Sequence, residues 1–475
     1  MRFLILILCF LLAGLAPVSA AEKALANPRN ITFPPLAYQI PKAERIMLEC
    51  GMPVYLLRDS ELPIINISAL VRVGTVYDPA GRSGLAGMVG SVMRSGGAGG
   101  LSPEKMDDEL EFMASSVESS IGSDMGTVSL TTLTKNFSRT LKIFSDVLLR
   151  PDFSAARIEI ARKQSIEGLR RQNDDPKEIA GREIGKAIYA GHPLGVVPSY
   201  ASVSAIQRQE LLDFHGRFFR TDNIILAVSG DFNREVLLKE LNATFGPARK
   251  VEALRLPEIP QPARNVTAEV IYAKKDVNQT VIRMGHPGLS KDDPELYAVR
   301  VLDYILGGSF TSRLTTEIRT NQGLAYNVGS HFDIGRRFTG SFVAETETKA
   351  ESTVKAIKLM SGIIAGMTKE PVSDSELNAA REYIVNSFMF GFANPASIVT
   401  QRARLEYYGY AADYLERYRD NIAKVSAADV LNAARKYLHP DAFKMVLVGN
   451  AEKFDAPVAS LGSVRELDLK LDIPK

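Results

Sequence analysis

Asn223-Ile224-Ile225-Leu226-Ala227-Val228-Ser229-Gly230 is an apolar run closed by Gly230-Asp231, the pattern of a strand buried inside a sheet. It has a counterpart in Ala442-Phe443-Lys444-Met445-Val446-Leu447-Val448-Gly449, an offset of 442 − 223 = 219. Outward from there, Asp175-Pro176 answers to Asn394-Pro395 and Ala161-Arg162 to Ala380-Arg381 at the same offset, and Pro151-Asp152-Phe153 answers to Pro371-Val372-Ser373 one residue further on. Landmarks sharing one long offset mark a duplication rather than a short-period solenoid. In each copy runs of strands alternate with several consecutive helices. The expected class is therefore α+β, two tandem homologous α/β sandwich domains with mainly antiparallel sheets, and not a doubly wound sheet.

The copies divide the chain into a first domain at 41–250, a linker at 251–264 containing Pro257, Pro260 and Pro262, a second domain at 265–456 and a tail at 457–475. Ahead of them Met1-Arg2, the apolar run Phe3–Leu15 and the small residues Val18-Ser19-Ala20 describe a secretory signal peptide over 1–20, followed by a polar leader to residue 40. The apolar run is shorter than the ~20 residues needed to span a bilayer. An exported chain without a membrane span is the expectation, with a bacterial periplasm as the fitting compartment. Only Cys50 remains after cleavage, so no intramolecular disulfide is available. The 57 basic and 55 acidic residues nearly cancel, which argues against a nucleic-acid partner.

Candidate chemistry begins with Gly84–Ser95. Leu85, Met88, Val89, Val92 and Met93 form one buried helical face, and Gly87, Gly90 and Ser91 stand on the neighbouring one. A zinc helix carries H-x-x-E-H at that spacing, since residues four apart project to one side. Here no ligand occupies it. The glycine run Gly96–Gly100 has no following Gly-Lys-Ser/Thr, so it is read as a turn, and the acids Asp107, Asp108, Glu109 and Glu111 as a solvated helix face. Of the five histidines, His192, His215, His286, His331 and His439, no two lie within ten residues of each other, and structural roles are expected for His192, His286 and His439, which precede or neighbour proline at turns.

The stretches Arg82–Ala86, His192-Pro193-Leu194-Gly195, Asn223–Asp231, Gly307–Leu314, and Glu317-Ile318-Arg319 through Gly323-Leu324-Ala325-Tyr326, in this order across two repeats, resemble the pitrilysin or insulinase-type zinc metallopeptidases, on the branch of the mitochondrial processing peptidase subunits. The resemblance implies a processing-peptidase-like clamshell. It places the family's two zinc-binding histidines and its catalytic glutamate on Gly87, Ser91 and Gly90, and the third ligand on Gly168, beside Glu167. None of these positions can bind metal, so no cofactor is expected on this chain. It also places a substrate-gripping pair on Arg319 and Tyr326, seven residues later, an Arg to hold peptide carbonyls and a Tyr to polarise the scissile one. Gly307-Gly308-Ser309-Phe310 matches the family's glycine-rich loop. Some members divide zinc motif and Arg/Tyr pair between partnered chains. That implies a partner subunit, inactive alone, whose zinc sits on a sister chain. The alternative is a non-enzymatic peptide-binding or scaffold protein that holds an extended peptide at a strand edge.

Overall fold

The computed structural model describes residues 39–246, 254–264 and 267–473. The signal peptide, nearly all of the leader and the start of the linker lie outside them.

Among the described residues, twelve strands form two six-stranded sheets. The first contains β1 (Glu44–Met47), β2 (Pro53–Arg58), β3 (Ile64–Val71), β4 (Ser116–Ile121), β5 (Gly126–Leu133) and β6 (Ile224–Gly230), in the order β1-β2-β6-β3-β5-β4. The second contains β7 (Glu269–Lys274), β8 (Gln279–Pro287), β9 (Ala325–Asp333), β10 (Ser341–Lys349), β11 (Lys444–Gly449) and β12 (Val464–Glu466), in the order β12-β7-β11-β8-β10-β9. Removing β1 and β12 leaves the same path twice. In each copy the last long strand inserts parallel to the first and antiparallel to the second. The fold is the α+β duplication that the 219-residue offset predicts. Residues 464–466, in the stretch read as a tail, are edge strand β12, which pairs parallel with β7.

Fourteen α-helices are present among the described residues: α1 (Leu85–Ser95), α2 (Pro103–Phe112), α3 (Phe137–Leu149), α4 (Ala155–Arg171), α5 (Pro176–Ile188), α6 (Tyr200–Ala205), α7 (Arg208–Phe218) and α8 (Arg234–Phe245) in the first copy, then α9 (Leu296–Leu306), α10 (Thr353–Gly366), α11 (Asp374–Ser387), α12 (Pro395–Tyr407), α13 (Tyr414–Lys424) and α14 (Ala427–Tyr437). None is long and apolar enough to cross a membrane.

Strand alternation shows why β6 is apolar at nearly every position. Ile224, Leu226 and Val228 point into the main core of the first copy, while Ile225 and Ala227 point the other way. What covers that second face is α12, from the other copy: Val399, Ala403 and Tyr407 pack on Leu70, Ile225 and Ala227. The exchange is reciprocal. α5 of the first copy lays Ile179, Ala180, Ile184 and Ile188 on Ile271, Ala273, Val446 and Val448 of the second sheet. The helices start at Asp175-Pro176 and Asn394-Pro395, where Asp175 and Asn394 cap the first turn and proline fills the position needing no N–H. These two dipeptides of the repeat are therefore the start signals of the exchanged helices.

A second link between the copies is the β9–β10 connection. The Arg337 guanidinium donates to the Tyr77 hydroxyl and lies over its ring, and Phe338 meets His192 edge-on. Gln261, in the proline-rich linker, donates to Arg337 O at 3.0 Å and accepts from Thr339 N at 2.9 Å. That part of the linker is docked on the body of the protein.

Candidate functional site

α1 is entered through Gly84 at φ 101, a left-handed conformation that glycine adopts without cost. The Asp78 carboxylate accepts from Gly84 N and Ala86 N, each at 2.8 Å, and so satisfies two amides of the helix start. Burial raises its pKa to about 6, against the pull of those two bonds. Arg82 pairs with Glu210 at 2.7 Å, and Ser83 exchanges hydrogen bonds with Ser202. Arg82–Ala86 is thus a device for starting this helix in place.

Gly87 and Ser91 are exposed on α1, and Gly90 between them is buried. The two glycines differ in kind. A Cβ at Gly87 would have nothing within 4 Å, whereas a Cβ at Gly90 would lie 2.6 Å from Ile121 N and 3.0 Å from Ser120 C. Strand β4 runs against the helix there, tied by Ser119 Oγ donating to Gly90 O at 2.6 Å and Arg94 Nε donating to Val117 O at 3.1 Å. The two ligand positions, Gly87 and Ser91, stand open on the helix surface, and only Gly90, the position of the family's glutamate, is closed by the backbone of β4. Zinc does not fit the residues present, since two of the required side chains are glycines and the third position is a serine whose hydroxyl donates to Met88 O. Gly168 lies on α4, the helix next to α1, and Glu167 pairs with Arg171 at 2.9 Å and with Arg170. Among the described residues, no group of three or more His, Cys, Asp or Glu is arranged to hold a metal.

Three histidines have backbone partners. Leu194 N donates to His192 Nδ1, leaving Nε2–H for Pro260 O at 2.9 Å. His215 is buried against Phe219 with Nε2 on Leu148 O at 3.0 Å, and burial lowers its pKa to about 4. His286, also lowered to about 4 by burial, has Nδ1 on Pro287 O and receives His439 N at Nε2. His331 is exposed on β9.

Arg319 and Tyr326 come together. Thr315–Asn321 forms a π-helical turn, a wider coil that recurs at functional sites. Gly323 at φ 61 then reverses the chain into β9, whose second residue is Tyr326. The Arg319 guanidinium carbon lies 5.2 Å from the Tyr326 ring centre and 5.6 Å from that of Phe310, and both aromatics are more than four-fifths exposed. No carboxylate pairs with Arg319 among the described residues. It borders a cavity of about 290 Å³ together with Ser330, His331 and the Gly307–Phe310 loop. The Ser330 hydroxyl is buried in the wall of this cavity, beneath Gly307, without a hydrogen-bond partner among the described residues. A Cβ at Gly307 would fall 2.2 Å from Ser330 N and Oγ, so glycine is what keeps the loop this close to the strand.

Fold and site together define a two-copy α+β protein of the zinc-peptidase kind that has no zinc ligands at the metal position and an exposed arginine–tyrosine pair. The comparisons agree on the class. Residues 54–197 match the family model described as insulinase (peptidase family M16), and 205–384 match the peptidase M16 inactive domain. The chain belongs to peptidase family M16. It is 23% identical over 403 residues to an uncharacterized zinc protease of Rickettsia bellii, covering 82% of this chain and 94% of that one. It is 22% identical over 414 residues to the non-peptidase homolog YmxG of Helicobacter pylori, covering 85% and 93%. Among solved structures, a peptidase M16 inactive domain from Pseudomonas fluorescens superposes with a TM-score of 0.78 at 25% identity, covering 86% of this chain and 98% of that one. The periplasmic protease PqqL of Escherichia coli gives 0.72 at 15% identity, over 90% of this chain and 49% of its own, a likeness of fold.

Sequence reasoning missed β4, and with it the closure at Gly90. Ser116–Ile121 holds only two apolar residues, Val117 and Ile121, among four polar ones, too little alternation to mark a strand.

Proposed function

We propose that this chain is the metal-free subunit of a two-chain peptidase, exported to a bacterial periplasm, where it grips an extended peptide that a zinc-bearing sister chain cuts. The observation carrying the reading is the Arg319 guanidinium, paired with no carboxylate among the described residues and set against Phe310 and Tyr326 at the edge of a cavity. Arg319 supplies fixed donors to peptide carbonyls and Tyr326 a neutral donor for developing oxyanion charge. Export rests on the sequence pattern of residues 1–20 and agrees with the periplasmic protease among the fold's neighbours.

The test is co-purification of the tagged chain from its host, with metal analysis and a peptide cleavage assay. The expected result is a complex that holds zinc and cleaves peptide, while this chain alone does neither. Arg319→Ala or Tyr326→Phe in the complex should lower kcat/KM by roughly 100-fold, the scale of losing an oxyanion donor, with the stability of the Tyr326→Phe protein changed by less than about 0.5 kcal/mol, as for an exposed side chain. A doubly substituted complex of normal activity would refute the reading.

The second reading, a peptide-holding or scaffold protein without catalysis, is favoured by the closure of Gly90 and by the relative named a non-peptidase homolog. Recovery of a stable complex containing no peptidase would select it.

A further inference from the structure

A second cavity of the second copy, about 770 Å³ and not lined by Arg319, lies between α9, α11, the Phe388–Phe392 turn, α12 and α13. Its volume falls in the range that holds small molecules. One wall is aromatic: Phe388 stacks on Tyr418 at 5.1 Å between ring centres, and Tyr414 joins Tyr418 to Tyr410 at 5.8 and 4.6 Å. The other wall is cationic. Arg300 of α9 lines it half-buried, with Arg336 of the β9–β10 connection and Arg404 of α12 at its exposed rim, against one lining carboxylate, Asp333, also exposed.

Arg336 lies over the Tyr408 ring, but other polar groups here are not used up by the protein. The half-buried Arg300 guanidinium acts electrostatically on Asp303, one turn along α9, yet it has no direct hydrogen bond or ion pair among the described residues, and neither have the hydroxyls of Tyr410, Tyr414 and Tyr418. These donors remain open, and their convergence on one cavity suits a ligand that accepts from them. Burial raises the pKa of the Tyr414 and Tyr418 hydroxyls, with Arg300 pulling the other way, and both remain protonated donors at neutral pH. A planar guanidinium beside neutral hydroxyls suits a carboxylate, and the stacked rings suit a flat apolar body.

We propose that this cavity binds a small aryl carboxylate, with the carboxylate on Arg300 and the Tyr414 and Tyr418 hydroxyls and the aryl group against Phe388 and Tyr418. The site is independent of the peptide-gripping reading and would remain if that reading failed.

The experiment is calorimetric titration of the full mature chain with benzoate, 3-phenylpropionate and N-acetylphenylalanine, each against its uncharged amide. At least one acid is expected to bind, with its amide at least about tenfold weaker. Arg300→Gln should weaken the acid by about tenfold or more and leave the amide unchanged, and Tyr414→Phe should weaken it by about threefold. Arg300→Lys, which keeps the charge and loses the fork, should fall between wild type and Arg300→Gln, a gradation that misfolding would not give. Inorganic phosphate at equal concentration should not displace the acid. No binding by any acid at about 10 mM, equal binding of acid and amide, an acid indifferent to Arg300→Gln, or displacement by phosphate alone would each overturn the proposal.

Discussion

Gly90→Ala should destabilise the protein by about 1–3 kcal/mol, the usual cost of forcing atoms into a closed contact, although alanine is by itself the better helix former by nearly 1 kcal/mol. The added Cβ would meet the backbone of β4 at 2.6 Å, and a strand backbone cannot rotate away as a side chain can. Gly87→Ala, one turn earlier on an open surface, should stabilise by about 0.5–1 kcal/mol, the intrinsic helical preference with nothing opposing it. The pair is its own control, because the substitution and the helix are the same. Rebuilding the zinc motif as Gly87→His, Gly90→Glu and Ser91→His should fail for the same reason. Glutamate at 90 must displace β4, breaking the Ser119–Gly90 and Arg94–Val117 bonds, at a cost of more than about 3 kcal/mol. Urea unfolding gives the stabilities and metal analysis the zinc. Wild-type stability of Gly90→Ala, or a stable triple variant holding one zinc, would show that the position is open after all.

That contrast also shows where the sequence is informative. The missing ligands could be read directly, since glycine and serine bind no zinc, but what lies against Gly90 is a tertiary fact. The duplication was legible because buried strands and helix starts constrain sequence twice, at Asn223–Gly230 and again at Ala442–Gly449. The Arg319–Tyr326 spacing was legible because a turn reversed by Gly323 fixes it locally. The exchange of helices was not, because the apolar stripe of α5, Ile179, Ala180, Ile184 and Ile188, specifies that a sheet face must cover it and not which sheet. The aromatic cavity between α9 and α13 was equally hidden, its cations coming from positions as far apart as Arg300 and Arg404.

The exchange has a consequence for the pair of domains that the sequence suggests. Each copy closes its main core with its own helices, yet the second face of each sheet is finished only by a helix from the other. Burying a large aliphatic side chain contributes roughly 1.5–3 kcal/mol; with Ile179, Ile184 and Ile188 on one side and Ile271, Val446 and Val448 on the other, α5 alone secures on the order of 10 kcal/mol. That is as large as the ~5–15 kcal/mol by which a domain is stable. Residues 41–250 and 265–475 produced as separate chains should therefore each be aggregated or loosely packed, and should be recovered together, one to one, when co-expressed. In the intact chain Ile184→Ala should cost about 2–5 kcal/mol and lower the stability of both copies within one cooperative transition. Either fragment behaving alone as a monomer with a sharp unfolding transition, or an Ile184→Ala protein that melts in two separate steps, would show that the copies are independent domains.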